Sequence, residues 1–189
     1  MTLVSGVILV QLVSRGQPET GTAGETKIEI KNEVNSNSTR IGNLSANVPD
    51  TWTGIRPSSS MRLMEFRLGV AADDATLAIF KHIGGTIDNN LERWSGQFGY
   101  SLSDSEVNIR AENINGMQVS IISILGTYTN TMAFSDATQP KPNYRLLGAI
   151  ADTPDGLYYF KLTGPNTVIT GRLEEFTLFI QSLRYDKIG

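Results

Sequence analysis

Residues 107–127 read VNIRAENINGMQVSIISILGT. Two runs rich in β-branched residues flank the dipeptide Asn115-Gly116. Asn-Gly between such runs is the strongest short hairpin signal, because a two-residue turn of the right twist puts both residues at positive φ. The stretch therefore predicts antiparallel strands over 107–114 and 117–127. A turn this short leaves no room for a parallel crossover.

Downstream, Pro140 and Pro142 read as a loop and 144–151 as a strand. Pro154-Asp155-Gly156 is a turn, and 157–162 is the last strand, stopped by Gly164-Pro165. Asn166 or Thr167 can cap a closing helix, along which Leu173, Phe176, Ile180 and Leu183 recur at i, i+3, i+7 and i+10. Upstream, 61–68 and 75–82 are apolar strands. Gly84-Gly85 breaks the chain and Thr86 caps a helix, with Asp88 at the positive end of its dipole. Ile87, Leu91, Trp94 and Phe98 form one apolar helical stripe, and Gly99 ends it. Hairpin-linked strands with a few helices predict an α+β fold, an antiparallel sheet sandwiched by helices as an α/β/α sandwich.

The folded body is expected over 44–189, opening with 45–52, which carries Val48-Pro49 and ends on Trp52. Residues 1–43 read as an apolar segment and a linker. Residues 4–13 are mostly apolar, interrupted by Gln11, and too short to span a bilayer. Their length suits the core of an export signal, and Ala23-Gly24 follows at a plausible distance, although no Lys or Arg precedes them. Residues 17–25 are linker-like, 27–30 alternate as a short strand, and 32–40 are polar. An exported protein of the periplasm or envelope is expected.

Net charge is −3, with no long basic run, which argues against a nucleic-acid partner. The chain has no cysteine, so disulfides, thiolate metal sites and cysteine nucleophiles are excluded. The single histidine, His82, meets no Gly-x-Ser-x-Gly turn. With Asp88 and Glu92 it has the right count for a metal, but a strand-end histidine beside a capping acid explains the same residues. No catalytic residues, metal or cofactor are assigned, and the chain is not expected to be an enzyme.

Five residues are candidates for binding. Arg62 and Lys161 are cations on strands that otherwise read as apolar. Side-chain alternation puts Arg62 on the face of Met64, Phe66 and Leu68, and Lys161 on the face of Leu157 and Tyr159. Unpaired burial of a cation is costly. Each therefore needs a structural partner such as Glu65, Asp88 or Glu92, or snorkels its stem to water at an edge, or lines a pocket for an anionic ligand. Gly84-Gly85 before a helix start could hold an anion on backbone N–H groups, though a turn at positive φ would also require glycine. Arg93 lies on the outer flank of the helix stripe, where it could meet a protein partner, while Trp94 reads as core.

Several segments together resemble an uncharacterised bacterial family. They are Met61-Arg62 with Glu65-Phe66, Gly84-Gly85 with Asn90, Arg93-Trp94 and Gln97-Phe98, Gly126-Thr127-Tyr128, residues 144–150 (YRLLGAI), and residues 159–165 (YFKLTGP). More distantly, Val48-Pro49 with Trp52, the central hairpin, Gly156 with Tyr158-Tyr159, and the closing Ser182-Leu183 are similar to PsbP and to the Ran-binding nuclear-transport protein Mog. The resemblance implies a PsbP-like sheet covered by helices and a protein that binds rather than catalyses. It carries over neither photosystem nor Ran binding. The functional expectation is a non-catalytic binding or assembly module of the envelope with a protein partner. The alternative is a carrier or sensor of a small anionic ligand.

Overall fold

The computed structural model describes residues 38–69, 75–129 and 139–186. The chain divides into Met1–Glu33 and Val34–Gly189, and every described residue belongs to the second unit. The readings of 4–13 and 27–30 lie outside the described residues.

The first hairpin pairs β1 (Ser38–Ile41) with β2 (Leu44–Asn47) around Gly42, whose φ is 63°. The main sheet begins with β3 (Trp52–Ile55), β4 (Arg62–Leu68) and β5 (Ala75–Lys81). Helix α1 (Ile87–Gly96) follows, then β6 (Val107–Ile114) and β7 (Met117–Tyr128). Strands β8 (Lys141–Thr153) and β9 (Gly156–Pro165) complete the sheet. The chain closes with α2 (Asn166–Thr170), α3 (Leu173–Gln181) and β10 (Arg184–Tyr185).

Seven strands form one antiparallel sheet in the order β3-β4-β5-β9-β8-β7-β6, and β1, β2 and β10 form a small second sheet. The Asn115-Gly116 hairpin is as expected. Both residues have positive φ, 50° and 85°, and Ile114 faces Met117 across the turn. Each face of the large sheet carries its own core. On one face, α1 lays Leu91, Trp94 and Phe98 on Ile122, Ile124, Leu146, Ile150 and Tyr159. On the other, Phe176, Phe179 and Ile180 of α3 pack with Phe66, Leu77, Phe160 and Leu162, and β1 and β2 add Ile41 and Leu44.

The molecule is thus mostly antiparallel sheet with few helices. One helix covers part of one face, and the other face is shared between α2, α3 and the small sheet. Four further expectations need correction. β1 precedes the expected boundary at Leu44, because its polar outer residues hide a strand whose buried residue is Ile41. β9 runs on through Gly164-Pro165, the proline pairing with Tyr144 at the strand end, where a missing N–H is tolerated. Pro142 lies inside β8 rather than in a loop, beside the register shift at Gly126/Tyr128. The closing helix is two helices, and Leu173 at the start of α3 is exposed while Phe179, outside the expected stripe, is fully buried.

Asp155 in the β8–β9 turn ties the small sheet to the large one. Its carboxylate accepts from Asn43 Nδ2 and Lys81 Nζ, both at 2.5 Å, and from Thr153 Oγ1 at 2.7 Å. Burial pushes the carboxyl up, but Lys81, Thr153 and Asn43 outweigh it and hold the group at about 2 against an ordinary 3.8. A depressed carboxylate stabilises the fold fully above its unfolded value, and that contribution is lost as pH falls through the folded one. Denaturant unfolding of the wild type and Asp155→Asn should therefore converge between pH 3.8 and about 2, the wild type losing roughly 1–2 kcal/mol more.

Candidate functional site

The site follows from which residues reach one face of the sheet. Register places Glu65, Ala78, Lys161, Gly148 and Ile122 in a single row across β4, β5, β9, β8 and β7. Partners directly opposite share a face. Lys161 therefore has alanine on one side and glycine on the other. Its face is the one read from alternation, shared with Leu157 and Tyr159.

Arg62 is where the sequence reading fails. The register slips between Arg62 and Met64, so Arg62 faces Phe80 while Met64 faces Ile79 and Glu65 faces Ala78. A bulge inserts one residue and reverses alternation beyond it. Arg62 thus leaves the face of Met64, Phe66 and Leu68 and joins that of Glu65 and Lys161. Its guanidinium lies 5.7 Å over the Phe80 ring, and Nη1 is 2.6 Å from Glu65 Oε1. The buried Glu65 also accepts the Ser58 N–H at 2.8 Å. Burial pushes its carboxyl up, but the Ser58 and Arg62 bonds prevail and hold it below the usual value.

Helix α1 is ten residues long, and the core beneath it is built on β7, β8 and β9, with Phe80 of β5 packed at its edge. The same face carries an open pocket of about 340 Å³. Its floor is Thr76, Ala78 and Thr163, and its walls include Arg62, Lys161 and Tyr128. Lys141 and Tyr144 stand at the β8 side, where the Tyr128 and Tyr144 rings stack at 6.0 Å and 14°.

Lys161 Nζ donates to Gln97 Oε1 at 2.5 Å and lies 5.7 Å from the Tyr128 ring centre. Gln97 is buried at the C-terminal end of α1, and its backbone carbonyl accepts the Thr129 N–H at 2.7 Å. Among the described residues, both contacts of the ammonium are with neutral groups. Burial, with Arg62 and Arg93 nearby, brings Lys161 down from 10.5 to about 8. Among the described residues no carboxylate contributes to that shift; Glu65, on the same row, is two strands away, on the order of 10 Å.

The other candidates separate. Arg93 is half-buried rather than on an outer flank; its guanidinium comes close to Gly85, and its charge is felt by Lys161 and Tyr159. It does not line the pocket. Gly84 and Gly85 take φ of 70° and 80°, which accounts for both glycines as turn residues. The helix start they precede is closed by a capping box: Thr86 Oγ1 accepts the Asn89 N–H at 3.2 Å, and Asn89 Oδ1 accepts the Thr86 N–H at 3.3 Å. His82, Asp88 and Glu92 are not brought together as metal ligands, and among the described residues no such group forms. No helix among them is long and apolar enough to cross a membrane.

Sequence reasoning missed Tyr128, Tyr144, Lys141 and Gln97 as members of the site. A second hollow, of about 570 Å³, lies between residues 47–50 and α3. Its charged lining is acidic, Asp50 and Glu175, and Glu175 is bound by Trp52, Thr51 and Arg172.

The chain is structurally similar to a cyanobacterial protein. It is PsbP (CyanoP) from Synechocystis sp. PCC 6803, solved in solution, with 13% identity and a TM-score of 0.48. The match covers 76% of this chain and 86% of CyanoP. PsbP is the more distant of the resemblances drawn from the sequence. No family model matches the chain, and no curated protein matches it.

Proposed function

We propose that this chain is a non-catalytic binding module that takes a small organic anion in the pocket beside Lys161. One observation carries the reading. A largely desolvated ammonium whose contacts among the described residues are all neutral, flanked by two guanidinium groups, sits in the wall of an open pocket. Burying a charge without a counter-charge is costly, and an anionic ligand removes that cost. Arg62 supplies a second cation, since a guanidinium has five N–H donors and Glu65 does not exhaust them. The stacked tyrosines and the Phe80 ring suit the apolar part of an organic acid.

Calorimetric titration of the full chain with glycolate, succinate and inorganic phosphate tests the proposal. A carboxylate should bind, and Lys161→Met should weaken it by about tenfold or more, the worth of one charge-assisted hydrogen bond. The same variant should unfold within about 1–2 kcal/mol of wild type, because removing a desolvated charge offsets the lost Gln97 bond. A lysine serving only the fold gives the opposite pattern: large destabilisation and no ligand in either protein.

A further inference from the structure

Lys161 combines two properties that binding an anion does not by itself require. It lines an open pocket, and its row neighbours, Ala78 and Gly148, have no side chain long enough to compete for it. One N–H is held by Gln97 Oε1, and the nitrogen lies 5.7 Å from the Tyr128 ring centre. Arg62, on the same pocket wall, is oriented by Glu65 and Phe80.

We propose that Lys161 reversibly captures small α-oxo acids as imines, with Arg62 holding the carboxylate while the Lys161 nitrogen bonds to the carbonyl carbon. This rests on the anion-binding reading above and names the ligand class. The step balances without any other reagent. The free amine attacks the carbonyl carbon, a C–N bond forms, and the C=O π pair moves to oxygen. That oxygen takes both protons of the amine and leaves as water, so amine plus carbonyl gives imine plus water; the proton that the ammonium had released to solvent returns to the nitrogen to give the protonated imine. Nothing is oxidised or reduced.

The chemistry needs the amine in its free form near neutral pH. A lysine that is desolvated, or set beside another cation, is the usual way proteins obtain this. Lys161 has both, with Arg62 and Arg93 as the neighbouring cations, and sits at about 8 rather than 10.5. The groups facing it are Gln97 from α1, Tyr128 from β7 and Arg62 from β4, with Arg93 of α1 and Glu65 of β4 further off.

The test treats the full chain with glyoxylate and cyanoborohydride, which reduces an imine to a stable amine, and maps the adducts by peptide mass spectrometry. Lys141, exposed on the same pocket, is the internal comparator. Lys161 should be labelled roughly tenfold or more faster than Lys141, because its burial and the neighbouring Arg62 and Arg93 favour its free amine. Glycolate, which has the carboxylate and no carbonyl, should suppress Lys161 labelling. Propanal, which has the carbonyl and no carboxylate, should show a smaller preference for Lys161. The double variant Arg62→Gln/Glu65→Gln removes the ion pair as a unit; it should slow glyoxylate capture by about tenfold and propanal capture much less, the latter only through the loss of Arg62 as a neighbouring cation.

Equal labelling of Lys161 and Lys141 in a protein that still binds glycolate overturns the inference and spares the anion site. Selective Lys161 labelling that glycolate does not suppress overturns the anion-binding reading, and the role of Arg62 with it. A double variant that captures glyoxylate at the wild-type rate overturns Arg62 as the carboxylate anchor.

Discussion

Replacing Trp94 with alanine is expected to cost about 3–5 kcal/mol of stability, the usual toll for deleting a buried tryptophan side chain. Trp94 is 3% exposed at the middle of α1. Its ring lies directly on Gly148, so closely that a Cβ there would overlap the ring and the Ile122 methyl. The absence of a side chain at Gly148 is thus what lets α1 lie flat on the sheet. A ten-residue helix has little stability of its own in water. Without Trp94, Leu91 is the buried apolar side chain left in α1, with Phe98 just beyond its end. The effect should reach the site, because Gln97 at the end of α1 is the hydrogen-bond partner of Lys161. Urea unfolding followed by circular dichroism reads the stability, and a loss under about 1 kcal/mol would show that α1 is held by something other than this contact.

Gly164→Ala should cost about 3 kcal/mol, at the top of the range for overpacking. The reason is what the new methyl would meet. A Cβ at Gly164 would stand 2.6 Å from both Cα and Cβ of Ala75. Ala75 is the first residue of β5, paired with Leu68, and fully buried. A backbone atom cannot rotate aside as a long side chain can, so β5 and β9 must move apart at the centre of the sheet. Gly164 is not among the positive-φ glycines, so the strain is purely one of space. For a domain of this size the loss corresponds to a fall in Tm of roughly 6–12 °C. An unchanged Tm would mean that the sheet is looser here than its register implies.

Much of the fold was legible because its signals are local. The stripe Ile87, Leu91, Trp94 and Phe98 is set by helical period alone, and three of the four are buried, with Ile87 partly so. Asn115-Gly116 names its own turn. Lys161 was assigned the correct face because β9 is regular through it. What was not legible depends on contacts between distant segments. The bulge at Arg62/Met64 changes which face Arg62 takes, and no residue there announces it; the slip is seen only in the pairing with β5. The pocket likewise depends on which strands of a sheet seven strands wide α1 packs on, and helix length does not reveal that. Arg93 was read as a surface residue from its helix angle, but the Gly85 turn folds back toward it.

The most direct test of the anion site is glycolate affinity measured by calorimetry from neutral pH to well above 8, with Lys161→Met alongside. Burial together with Arg62 and Arg93 sets Lys161 at about 8, so the ammonium that meets the anion disappears above that pH. The pocket tyrosine Tyr128, and Tyr159 beside Lys161, are pushed up from 10 and keep their protons through this range. The account predicts constant affinity below about 8 and a progressive loss above it, tending to tenfold per pH unit, with the variant weak throughout. Affinity that stays level through that range, or that the variant retains, would contradict it.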